Sequence, residues 1–183
     1  FIYLQLRFSP HSNHYKRMRR RFVVLAFLVG MAVASCSRDA QSLHFSVIPQ
    51  PSEVTLVGGG YNLKSSDLIL SDNLDEKVKS AIAEFAEHLQ TVAGGRNRVV
   101  SGEDGRGVVF LVDPSLGNEA YRLDITKNKA IVAANSYNGF IYALQTIGQM
   151  LPAEFYGRER ASGVDFVIPC GTIKDAPRFS YRG

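Results

Sequence analysis

The chain has 183 residues, 45% of them hydrophobic, no tryptophan and a formal charge of +4, a composition suited to one folded domain with a leader. Six of its 21 basic residues (Arg7, Lys16, Arg17, Arg19, Arg20 and Arg21) precede Cys36 with no acid among them, which leaves 15 bases against 17 acids in the remainder. The basicity belongs to the leader and the folded part is slightly acidic, which argues against a nucleic-acid partner.

Residues 1–17 begin at Phe1 and read as an upstream stretch or a misassigned start, with Met18 as the start. Residues 18–35 have the pattern of a secretory leader: Arg19-Arg20-Arg21, an apolar run over 22–34, then Val33-Ala34-Ser35-Cys36. The run of thirteen is too short for a bilayer core of ~30 Å, which takes about twenty helical residues. Its ending resembles a bacterial lipobox, which implies Cys36 as a lipidated mature N-terminus, each buried CH₂ adding ~0.8 kcal/mol to anchoring. An ordinary signal peptide with an incidental Cys is the alternative reading. Membrane attachment through that lipid and export to the bacterial cell envelope, periplasm or outer membrane, are the corresponding expectations. Residues 36–46 are polar and read as a tether. Cys170 is the only other cysteine. It has no internal disulfide partner and lies in an apolar run, so it reads as a buried small hydrophobe.

Residues 47–175 read as one domain. Ile48-Pro49-Gln50-Pro51 predicts an extended opening segment. Glu53-Val54-Thr55-Leu56-Val57 alternates as a strand, and Gly58-Gly59-Gly60 is expected to break it in a hairpin turn. Those glycines precede a strand pattern and lack a Lys-Ser/Thr, so they are not a phosphate cradle. Residues 61–63 and 68–70 predict two short strands. Asn73-Leu74-Asp75-Glu76 carries N-cap chemistry. Val78, Ile82, Phe85, Ala86, Leu89 and Val92 follow at helical spacing, and Gly94-Gly95 supplies the stop. His88 falls among the polar positions of that helix and reads as a surface histidine. Val108-Val109-Phe110-Leu111-Val112 predicts a strand buried on both faces.

A β-hairpin is predicted over 121–134, with Arg122 and Asp124 on its polar face. Ser136 is the expected N-cap of a second helix with Phe140, Ile141, Leu144, Ile147 and Leu151 on its apolar stripe, ended by Pro152. Gly139 and Gly148 inside it predict close approach to the sheet. A last strand is expected over 166–170, leaving through Gly171-Thr172-Ile173-Lys174-Asp175. The expected fold class is α+β, a mostly antiparallel sheet with two helices on one face and no alternating βαβ array.

No zinc pattern, Cys-x-x-Cys, nucleophile elbow or dinucleotide fingerprint occurs in the chain, and no catalytic residue, metal or cofactor is assigned from the residues themselves. Three stretches carry a resemblance. They are Ile48-Pro49-Gln50-Pro51; Glu119-Ala120-Tyr121-Arg122-Leu123 with the helix over 136–151; and Ile173-Lys174-Asp175-Ala176-Pro177-Arg178-Phe179-Ser180-Tyr181-Arg182-Gly183. Together they resemble the N-terminal part of glycoside hydrolase family 20, the β-N-acetylhexosaminidases. The resemblance implies a non-catalytic α+β domain over 47–175, packed against a (β/α)₈ barrel of which 176–183 would be the first residues.

It also implies Arg182 as a contact to the terminal N-acetylhexosamine; in isolation Arg182 reads as a surface charge near a terminus. The implied reaction is retaining hydrolysis of N-acetylhexosamine-terminated glycans with substrate assistance, its Asp-Glu pair inside the barrel and absent from this chain. The expectation is thus an inactive N-terminal fragment of an exported hexosaminidase, truncated at the barrel. A stand-alone lipid-anchored module that binds glycan or protein is the competing expectation.

Overall fold

The computed structural model describes residues 45–177. They form β1 (Glu53–Asn62), β2 (Leu68–Leu70), α1 (Glu76–Ala93), β3 (Val99–Ser101), β4 (Val108–Val112), β5 (Tyr121–Ile125), β6 (Ala130–Ala134), α2 (Tyr137–Met150), a 3-10 turn (Ala153–Tyr156) and β7 (Val167–Asp175). The strands make one sheet in the order β1-β7-β5-β6-β4-β2-β3. The fold is α+β as expected, but the sheet is mixed. β1, β7, β5 and β6 pair antiparallel, whereas β6-β4, β4-β2 and β2-β3 are parallel. The parallel half exists because α1 joins two neighbouring parallel strands, β2 and β3, as a crossover unit. β3 is three residues long, two of them exposed, too short to show an alternation in the sequence.

Two further expectations change. The glycine triplet does not end β1. The strand runs through it, and its pairing with β7 shifts register between Leu56 and Gly60, a bulge in which Gly59 takes φ 109°. Residues 171–175 do not leave the sheet; they continue β7, which pairs with β1 on one side and β5 on the other. The α1 N-cap is Asp75, whose side chain accepts from the Lys77 N–H at 2.8 Å. Asn73, two residues earlier, accepts instead from the Ser71 hydroxyl. Gly94 ends α1 in the left-handed conformation, its N–H donating to the Gln90 carbonyl.

The core lies between the sheet and the two helices. Ile82, Leu89, Val92, Phe110, Leu123, Val132, Phe140, Ala143, Ile147, Phe166, Ile168 and Ile173 are essentially sealed from solvent. Each such large side chain contributes roughly 1.5–3 kcal/mol of burial. One polar bond crosses this layer, Tyr121 Oη to Thr146 Oγ1 at 2.6 Å, and it satisfies both buried hydroxyls for a net of about 1 kcal/mol. The far face of the sheet is polar in its antiparallel half. Arg122 pairs with Asp124 at 2.9 Å and Asp113 at 3.4 Å, Thr172 donates to Asp124, and Lys174 reaches Glu53.

α2 meets the sheet closely at Gly139. A Cβ there would lie 2.5 Å from the Ala120 carbonyl oxygen and 2.9 Å from the Ala134 methyl. Ala134 is the last residue of β6 and Ala120 immediately precedes β5, so neither can retreat cheaply. Gly139→Ala is expected to lower stability by about 1–3 kcal/mol with an unchanged urea m-value. Gly58→Ala, where a Cβ meets nothing within 4 Å, is expected to be near neutral. Equal unfolding midpoints for the two variants would contradict the contact.

Candidate functional site

The described parts of the three stretches that resemble one family, with 173–177 standing for the last, are separated in sequence and linked in space. Ile48 and Gln149 exchange two hydrogen bonds, Ile48 N–H to Gln149 Oε1 at 2.8 Å and Gln149 Nε2 to the Ile48 carbonyl at 3.1 Å. The opening segment is therefore fastened to α2. Ser136 Oγ accepts from the N–H of both Gly139 and Glu119, and Glu119 takes a φ of 67°. That links the turn before β5 to the start of α2. The β7 residues Ile173 and Asp175 pair with Leu123 and Tyr121 of β5, and Asp175 Oδ1 accepts from the Ser52 N–H. These motifs are a packing unit first, built around the Gly139 contact.

Cys36 and Arg182, with the leader over 18–35 and most of the expected barrel entry over 176–183, lie outside the described residues. Among the described residues no three His, Cys, Asp or Glu side chains cluster as a metal site. The ion-paired carboxylates are Glu53, Asp67, Glu76, Asp104, Asp113 and Asp124. Hydrogen bonds from Arg98, Lys129 and Ser115 hold the carboxyls of Asp67, Asp104 and Asp113, respectively, below the usual carboxylate range. A general acid needs the opposite shift. Cys170 is buried, as expected, and burial pushes its thiol up, which keeps it from acting as a thiolate nucleophile.

His88 differs from its surface reading. It is half-buried, its Nε2 bonds the Phe155 carbonyl, and its ring meets Phe155 edge-on at 5.0 Å between centroids. The signal was hidden because its partner lies in the 3-10 turn, 67 residues away. That turn follows Pro152 and has no long apolar period.

Two hollows remain. One is a groove of about 480 Å³ between α1, α2 and the 3-10 turn, walled by Phe85, Ile141, Leu144 and Phe155, with Tyr137 and Tyr156 at its rim. The other, of about 560 Å³, is polar and sits at the end of α1 among Ser65, Asp67, Gly94, Gly95, Arg96 and Arg98. Neither contains the converging acid, base or nucleophile of a hydrolytic centre. The described residues define an accessory-type domain, a sheet with a helical layer on one face.

Residues 44–176 match glycosyl hydrolase family 20, domain 2, and the chain belongs to that family. It is 27% identical over 146 residues to a β-hexosaminidase of Vibrio furnissii, which spans 79% of this chain and 21% of that relative. It is 39% identical over 70 residues to a β-hexosaminidase of Akkermansia muciniphila, covering 38% of this chain and 13% of the relative. Among solved structures, the N-acetyl-β-hexosaminidase of Streptomyces plicatus matches with a TM-score of 0.65 and 26% identity over 74% of this chain and 27% of that one. The chain thus spans about a fifth of the length of the Vibrio furnissii relative.

The Asp67–Arg98 pair gives a test of how the end of α1 is held. Arg98 Nε and Nη2 donate to the two Asp67 oxygens at 3.1 and 2.6 Å. The Asp67 carboxyl is depressed in the folded state, so its contribution is present above the unfolded value of about 3.9 and is lost as pH falls through the folded value. Asp67→Asn should therefore flatten the stability profile between about pH 5 and pH 2 relative to the wild type, followed by urea midpoints. Parallel profiles for the two proteins would remove this pair as a source of acid sensitivity.

Proposed function

We propose that residues 47–175 are the accessory domain of an exported β-N-acetylhexosaminidase, and that catalysis resides in a barrel supplied by residues beyond this domain. The observation that carries the reading is the family match over 44–176. The ion-paired carboxylates of the described residues fit it. The apolar groove fits it as well. Tyr156 is 64% exposed and Tyr137 44% exposed beside Phe85 and Ile141, and such a surface suits the packing of a neighbouring domain. The ion-paired far face of the sheet does not.

In this reading the substrate is a glycan ending in N-acetylhexosamine. The relatives are β-hexosaminidases, and the Streptomyces plicatus enzyme has been solved with the product GlcNAc. Hydrolysis is retaining and substrate-assisted: the substrate's acetamido oxygen attacks the anomeric carbon, a Glu protonates the leaving oxygen, and an adjacent Asp orients the acetamide. Both carboxylates belong to the barrel. Arg182 contributes one contact. Its guanidinium is a rigid fork of donors, matched to neighbouring sugar hydroxyls. Cys36 carries the lipid that holds the enzyme in the bacterial envelope.

The 183-residue chain is expected to show no hydrolysis of an aryl N-acetylglucosaminide, while the same residues joined to a family barrel hydrolyse it. Arg182→Ala in the joined protein is expected to lower kcat/KM by about ten- to a hundredfold, the range of a lost charged hydrogen bond. Turnover by the isolated chain, or an unchanged kcat/KM, would refute these assignments. Labelled fatty acid should enter the protein expressed in a bacterial host and be lost in Cys36→Ser; equal labelling of both would refute lipidation there.

A further inference from the structure

We propose that Asp175, with the opening segment it grips, fixes the direction in which the chain leaves β7 and so acts as a positioning residue for the sugar contact at Arg182. The β1–β7 ladder stops at the Glu53–Lys174 pair, while β5 on the other side sets Tyr121 opposite Asp175. Asp175 completes the side that lacks a strand partner with its own side chain, Oδ1 accepting from the Ser52 N–H at 3.1 Å. Ser52 Oγ in turn donates to the Lys174 carbonyl at 2.9 Å. Lys174 Nζ reaches Glu53 at 3.1 Å, beside the same end of β7.

Both neighbours of this strand end are tied to α2. Tyr121 bonds Thr146 across the core. Ser52 belongs to the segment whose Ile48 exchanges two hydrogen bonds with Gln149. Between those two anchors Pro49 and Pro51 each fix a backbone φ, and Pro51 is buried, so the segment has little slack. The last residues of β7 are thus held from both sides and, through both sides, by the helical layer. Ala176 and Pro177 follow at once, and the proline biases Ala176 towards extended backbone. A chain that leaves a fixed strand end through a stiff dipeptide sets out in one direction. The clamp stands on this geometry; its link to Arg182 rests on the hexosaminidase reading.

The competing role is purely structural, closure of the end of the sheet. Two measurements separate the roles. In the 183-residue chain, hydrogen exchange of the Ser52 amide is expected to be slow in the wild type and in Asp175→Asn, which keeps an acceptor oxygen, and about tenfold faster in Asp175→Ala. In the barrel-joined protein, Asp175→Ala is expected to raise KM for an aryl N-acetylglucosaminide by about three- to tenfold with kcat nearly unchanged, the pattern of lost ground-state binding. Asp175→Asn should restore KM. Ser52→Ala, which removes only the bond to Lys174, should give a smaller rise of the same kind. In an Arg182→Ala background the effect of Asp175→Ala should vanish, because the two residues act through one contact.

Equal exchange of the Ser52 amide in all three proteins would overturn the clamp. Unaltered kinetics in Asp175→Ala, no rescue by Asp175→Asn, or an equal rise of KM in both Arg182 backgrounds would assign Asp175 to the sheet end alone and overturn the positioning role. Turnover by the unsubstituted joined protein, and the effect of Arg182→Ala on its own, report the hexosaminidase reading separately. Failure there removes the sugar contact itself, whereas failure of the Asp175 cycle with those two intact removes only the positioning role.

Discussion

The contact between Gly139 and the Ala120–Ala134 corner of the sheet sets the geometry of the rest. With no side chain at that point, α2 sits against β5 and β6 closely enough for Thr146 to reach Tyr121 across the core. The same seating lets Gln149, near the end of α2, hold the opening segment through Ile48. With α2 fixed, α1 and the 3-10 turn fill the remaining helical layer, and the groove between them follows. The opposite face of the antiparallel half carries ion pairs and is not covered by any of the described residues.

The sequence announced the parts of this fold whose signal is local. α1 and α2 have long apolar stripes and good caps, and Ser136 caps α2 as its position suggested. In the β5–β6 hairpin, β5 alternates over five residues and the wholly apolar β6 returns beside it. What stayed hidden depends on distant partners. β3 is three residues whose strand character comes from lying beside β2. Gly58-Gly59-Gly60 has turn composition, yet β7 holds it in a bulged strand. Residues 171–175 look like an exit only until β1 and β5 are seen on either side of them. His88 sits at a polar position of α1 and still finds a carbonyl 67 residues away.

The functional residues were legible to a different degree. Cys36 and Arg182 rest on sequence patterns and lie outside the described residues. The described domain supplies a reason to look for catalysis elsewhere: the carboxylates with shifted protonation are held ionised by donors around them, and its one described cysteine is buried as a thiol.

The central claim is that this domain serves a hexosaminidase whose chemistry is carried by attached residues. The most direct measurement is immunodepletion. An antibody raised against residues 45–177 is used to clear extracts of cells that produce the protein, and aryl N-acetylglucosaminidase activity is assayed in supernatant and precipitate. The account predicts that activity leaves the supernatant and appears with the captured domain. Capture of the domain with no activity in the precipitate, and none lost from the extract, would contradict it.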